Sequence, residues 1–290
     1  MAEIKDVNAR ADQIDLGGRF VIPPGDPVSH FGGGFAKILC SNIFLAGLEP
    51  AFVAEHNGYF TAPYADRDHV TNIEVDTALK RVEVTLDNGV VRSARICGGQ
   101  GAVTIPLGSD DVFFTPTIVE SKLGPAESLS WPMGDLLPSY GGPLDKESVS
   151  RAIDLAFDAA SNTSAVVVTH QGAIIGEQYG PGIHSTTPLE SWSMGKSLTA
   201  TLMGMLVHEG IYDLDQPAPV PEWQSDKDAR AAITIRNILQ MSSGLRFRAM
   251  ADPNYDPNVG YPDHLYVYTG GIDAYKYAAS RPLQWPPGEV

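Results

Sequence analysis

The sequence predicts an α+β fold in which a small β-rich region precedes a larger unit of helices and hairpins. Three observations predict it. Short runs within residues 72–105 alternate apolar and polar side chains around Asp87-Asn88-Gly89. Residues 106–143 are rich in Pro, Gly and Ser and read as a connector. After Pro143 the pattern changes to helix, hairpin and helix. A period of two marks half-buried strands, and a period of 3.6 marks amphipathic helices. The chain therefore divides into an N-terminal β-meander extension with its connector, 1–140, and a second unit, 141–290.

Taken in order, residues 1–30 are polar with scattered prolines and read as an extended arm. Ala36 to Leu48 is a mixed apolar stretch of undecided type. Pro50 to Asn57 has the length of a short helix ended near Asn57-Gly58. Ile73 and Val75, then Val82, Val84 and Leu86, lie on alternating positions of two strands. Asn88-Gly89 is a strong two-residue hairpin signal. Val90, Arg92, Ala94 and Ile96 share a face of the next strand, which is less cleanly amphipathic. Gly98-Gly99-Gln100-Gly101 is a turn.

In the second unit, Asp145 is placed to cap a helix carrying Val149, Ile153, Ala156 and Phe157 at helical spacing. Ala165-Val166-Val167-Val168 reads as a buried strand, Gln171-Gly172 as a turn, and Ala173-Ile174-Ile175 as the returning strand. Leu198, Leu202, Met205 and Leu206 then mark a mostly buried helix with Gly210 as its C-terminal cap. Thr234 caps a short helix through Gln240. Residues 246–271 form a long loop, and Ala274 to Ala279 are helical.

Composition bounds the function. The chain has 290 residues, 43% of them hydrophobic, which is ordinary for a protein with a core. Acidic residues outnumber basic ones by 35 to 20, a net charge of -15. That argues against nucleic acid, whose binding rests on Lys and Arg neutralising phosphates, and against an anionic membrane surface. No run approaches the roughly 20 apolar residues of a membrane span. The first residues have neither a basic n-region nor an apolar h-region. The chain as written reads as cytoplasmic, or as periplasmic or secreted if a signal has been removed. Cys40 and Cys97 fit no metal spacing and read as free buried thiols. The 7 histidines form no His-x-His or His-Glu-x-x-His pattern, so no metal or cofactor is expected.

Ser193-Met194-Gly195-Lys196 is the chemically informative stretch. Residues i and i+3 of a helix lie about 5–6 Å apart at Cβ. Lys196 can therefore bring its amine to the Ser193 hydroxyl. Removed from water, that amine becomes a base near neutral pH, and the hydroxyl a nucleophile. The competing structural reading is an N-cap serine with a solvated lysine one turn later. Gly195-Lys196-Ser197 fails as a phosphate-binding loop, because Glu190 stands where its first glycine belongs. Ser191-Trp192-Ser193-Met194-Gly195 is a minor candidate for a nucleophile elbow, which needs a strand before it; the preceding run is loop-like. His30-Phe31-Gly32-Gly33-Gly34 faintly resembles an esterase oxyanion loop, and reads more simply as a flexible entry segment. Tyr255, Tyr261, Tyr266 and Tyr268 are candidates to line a substrate cleft, against the plainer reading that tyrosines anchor loops by packing.

Residues 145–290 resemble the first part of the serine β-lactamase and penicillin-binding-protein superfamily. Nearer relatives look like class C-type esterases and 6-aminohexanoate-dimer hydrolases. The matching pieces occur in order: the helix and hairpin through Ile175, Ser193 with Lys196, and Gly210-Ile211-Tyr212-Asp213-Leu214-Asp215. Ile233-Thr234-Ile235-Arg236-Asn237-Ile238-Leu239, Met241-Ser242-Ser243-Gly244 and Trp285-Pro286-Pro287-Gly288 complete the set.

The resemblance implies a β-lactamase/transpeptidase-like domain. It implies that Ser193 attacks a small ester or amide, Lys196 takes its proton, and the Ser193 N–H with one from a sheet strand holds the oxyanion. Water then releases the acyl group. The family's second motif, Tyr-x-Asn or Tyr-x-Ser, and its Lys- or His-containing third motif are missing. Neither Tyr275 nor Tyr277 has the required residue two positions on. A C-terminally incomplete domain with negligible turnover is therefore expected, its remainder a candidate partner. The alternatives are a non-hydrolytic penicillin-binding or sensing protein, an inactive fragment, and an acyltransferase. Oligomeric state is open.

Overall fold

Pro27 opens the first helix for local reasons. Proline suits the first helical turn, and the Asp26 carboxylate accepts from Ser29 N at 2.7 Å. The structure is a computed structural model and describes residues 22–58, 64–120, 122–158, 160–250 and 261–289. Helix α1 spans Pro27–Phe44 and corrects two expectations. Residues 1–21 of the expected arm lie outside the described residues, its last residues from Pro27 on are helical, and the glycine-rich entry segment is buried within α1. The glycines serve close approach. A Cβ on Gly33 would stand 2.6 Å from Thr269 O, and one on Gly32 3.2 Å from Leu86 Cδ1.

Helix α2, Pro50–His56, follows as expected. The meander is present as four antiparallel strands in sequence order. They are β1 (Val70–Asp76), β2 (Arg81–Leu86), β3 (Val91–Ile96) and β4 (Ala102–Thr104). Alternation in β2 buries Val82, Val84 and Leu86 against Phe31, Phe35 and Leu39 of α1. Each such fully buried side chain stabilises by roughly 1.5–3 kcal/mol. The β2–β3 turn differs from the two-residue expectation. Leu86 N bonds Val90 O, Thr85 pairs with Val91, and Gly89 alone takes a positive φ, of 81°. A type I′ turn needs positive φ at both central residues, so a three-residue loop forms. Cys40 and Cys97 are buried and free.

Asp145 caps helix α3, Lys146–Ala156, by accepting from Ser148 N at 3.0 Å. Strands β5 (Ala165–His170) and β6 (Ala173–Tyr179) form a hairpin. Gln171 and Gly172 both take positive φ, 48° and 79°, as a type I′ turn requires. Ile153 and Val149 of α3 press on Gly176, where a Cβ would meet them at 2.7 and 2.9 Å. The strand expected to be buried is only half covered: Val167 is 48% exposed.

Helix α4, Gly195–His208, ends in the expected glycine cap. Gly210 N bonds Val207 O and Ile211 N bonds Leu206 O, the Schellman pattern. Helix α5, Ile235–Leu239, has a capping box between Thr234 and Asn237. Asp215 and Arg236 pair through two contacts, of 2.6 and 2.8 Å. Met241–Leu245 meets Gln284–Gly288 through Gly288 N to Ser242 O and Gln284 N to Gly244 O, both 2.8 Å. Inside the expected long loop, residues 251–260 lie outside the described set, and α6 (Tyr266–Thr269) forms. Helix α7, Ala274–Ala279, is capped by Asp273.

The N-terminal region and α6 pack together. Buried Arg92 of β3 donates to Ser29 O and Ser29 Oγ of α1 and to Thr269 O of α6, each at 3.0 Å. Thr104 Oγ1 donates to Tyr268 O at 3.1 Å. Among the described residues, no helix is long and apolar enough to cross a membrane.

Candidate active site

Ser193 lies in a 3-10 turn, Trp192–Met194, that runs directly into α4. The turn is closed by Met194 N bonding Ser191 O at 3.0 Å. Trp192 adopts φ 42°, a left-handed conformation costly for a bulky side chain. Lys196, one turn on, donates from Nζ to Ser193 Oγ at 2.8 Å. The sequence spacing therefore produces the contact that nucleophile activation needs. No strand runs directly into Ser191, the last one before it ending at Tyr179, so the elbow reading lacks its support.

The burial expected of this helix is not found. Ser193 and Lys196 are exposed, and no residue of α4 is buried. Leu198 is 69% exposed and Leu202 63%. An apolar series tells which face seeks cover; it does not supply the covering surface. Among the described residues nothing takes water away from Lys196.

The tyrosines separate. Tyr261 and Tyr266 are corrected from cleft to core, where they pack with Tyr277. The Tyr261 and Tyr266 rings sit 5.2 and 4.7 Å from the buried His30 ring. The neighbouring buried Asp263 pairs with buried Arg281. Tyr255 lies outside the described residues. Tyr268 lines a cavity, with its ring 6.0 Å from that of Trp192.

That cavity, about 220 Å³, was not foreseen. Lys37 and Ser41 of α1 form one wall, and Glu190, Ser191, Trp192 and Tyr268 the other. Glu190 accepts from Asn42 Nδ2 at 3.1 Å and from the Trp192 side chain. Burial raises the Glu190 carboxyl above its ordinary range, against those hydrogen bonds and the Lys37 charge. Burial likewise lowers the Lys37 ammonium, with Glu190 opposing. Sequence reading missed this wall because residues 30–34 did not read as helix. The one available signal was the spacing of Gly34, Lys37, Ile38 and Ser41, which fits a single helical face.

No curated protein matches the chain. Residues 154–290 match the family model described as Beta-lactamase, so this part of the chain is similar to that family.

Proposed function

We propose that the protein is a serine hydrolase of small esters or amides, with Ser193 as nucleophile and Lys196 as its general base. The observation that carries this reading is the 2.8 Å contact from Lys196 Nζ to Ser193 Oγ. In the reaction, Ser193 Oγ attacks the substrate carbonyl and its proton passes to Lys196. The collapsing tetrahedral intermediate expels the alcohol or amine, which leaves with that proton. Water then attacks the acyl-enzyme and restores Ser193. Residues 141–290 carry this chemistry, and residues 1–140 are read as an extension that adds a wall beside it.

The exposure of Lys196 favours a second reading, acylation with little turnover. Water that is not excluded from Ser193 and Lys196 competes for the contact between them. The test is intact-mass spectrometry before and after a serine-reactive ester probe. A single adduct that disappears in Ser193→Ala supports the nucleophile. Labelling that survives Ser193→Ala sinks it. Release of the adduct over minutes separates hydrolysis from acylation alone.

A further inference from the structure

The cavity between α1 and the turn before Ser193 holds charged and hydroxyl groups without assigned partners. Among the described residues, the Lys37 ammonium makes no hydrogen bond or contact ion pair. The hydroxyls of Ser41, Ser191 and Tyr268 likewise have no hydrogen-bond partner there. Glu190, by contrast, is engaged by Asn42 and Trp192. The cavity thus presents a cation that feels the Glu190 charge without touching it, and three hydroxyls with no hydrogen-bond partner among the described residues. Half-buried unpaired ammonium groups are costly, and an entering anion relieves that cost.

Position and size narrow the ligand further. Ser191 and Trp192 line the cavity, and Ser193 is the next residue. At about 220 Å³ the space is below the roughly 300–1,000 Å³ of drug-sized pockets, so a short chain fits it. From this we infer that the cavity is a specificity pocket for a carboxylate carried by the substrate, with Lys37 as its counter-ion and Ser41, Ser191 and Tyr268 as hydrogen-bond donors. The inference rests on the hydrolase reading for the word substrate, while the binding site itself does not. It gives the N-terminal extension a role: α1 selects what reaches Ser193.

Calorimetric titration with glutarate, and separately with pentane-1,5-diamine, tests the pocket without requiring turnover. Ser193→Ala is expected to bind glutarate as the parent chain does. Lys37→Met is expected to weaken glutarate at least about tenfold, and Lys37→Arg to retain it within about threefold, the range set by one charge-assisted hydrogen bond. Thermal melts of Lys37→Met check that it folds, and Ser41→Ala provides a second, milder probe. Absence of glutarate binding to the parent chain, unchanged binding in Lys37→Met, or tighter binding of the diamine overturns the proposal. A matched pair of activated esters, one ending in a carboxylate and one in a methyl group, then joins pocket to reaction. The carboxylated-to-neutral ratio of kcat/KM should fall about tenfold in Lys37→Met. Glutarate binding without Ser193 labelling would leave the pocket standing and remove the hydrolase reading alone.

Discussion

Lys196 Nζ stands 2.8 Å from Ser193 Oγ, and both side chains are exposed to solvent. The contact that the proposed mechanism needs is present, and the described residues leave it open to water. Lys196→Gln is therefore expected to slow labelling of Ser193 by an ester probe by about 10²-fold, the lower end for general-base loss. Time courses of adduct formation in the two proteins measure this. Equal rates would show that the contact is structural only.

Arg92 ties three elements through hydrogen bonds to Ser29 and Thr269. Burial pulls its guanidinium down to about 10, so it stays charged at neutral pH. Arg92→Met removes the buried donor shared by Ser29 O, Ser29 Oγ and Thr269 O. The expected loss is about 2–4 kcal/mol of stability, read by urea unfolding. A loss below half of that would mean that water replaces the guanidinium.

His30 is buried, and burial with the nearby Arg92 charge lowers its pKa to about 4. The unfolded imidazole titrates near 6.5, so between these values the unfolded chain binds the extra proton. The contribution is full above about pH 6.5 and is lost as pH falls toward 4, up to about 3 kcal/mol. Urea melts across that window should fall more steeply for the parent chain than for His30→Leu. Parallel slopes would contradict the assignment.

Exposure makes α4 tolerant where α3 is not. Leu202→Lys changes a side chain that is 63% exposed and is expected to cost less than about 0.5 kcal/mol. Ile153→Ala empties a site that is 5% exposed and is expected to cost about 2–4 kcal/mol. Thermal shifts of the two variants measure the difference. A large loss in Leu202→Lys would reveal a covering surface on α4.

Gly33→Ala sets a methyl 2.6 Å from Thr269 O and 2.8 Å from Arg92 Nη2. Both neighbours are held by other bonds, so a destabilisation of about 1–3 kcal/mol is expected. Crystallography or amide exchange at α6 would locate the displacement. Neutral behaviour would mean that α1 and α6 separate easily.

Local signals were read well where the cause is local. Asp145, Thr234 and Gly210 cap their helices because a carboxylate, a hydroxyl or a left-handed glycine satisfies groups within one turn. The meander was legible because a pleated strand shows its two faces in alternation. Helix α1 was not, because Gly32, Gly33 and Gly34 lower helix propensity. For Gly32 and Gly33 the reason lies far along the chain, in Leu86, Arg92 and Thr269. Tyr261 and Tyr266 were misplaced for a similar cause. Nothing near them in sequence announces His30 or Tyr277 as packing partners.

The sequence by itself determined the Ser193–Lys196 contact, since a spacing of three on a helical turn brings those side chains together whatever surrounds them. Tertiary structure alone decided that the pair stands in water, and that α1 supplies Lys37 and Ser41 to a cavity lined also by Ser191 and Trp192. Backbone geometry acts over a few residues. Burial and charge environment depend on which distant surfaces meet.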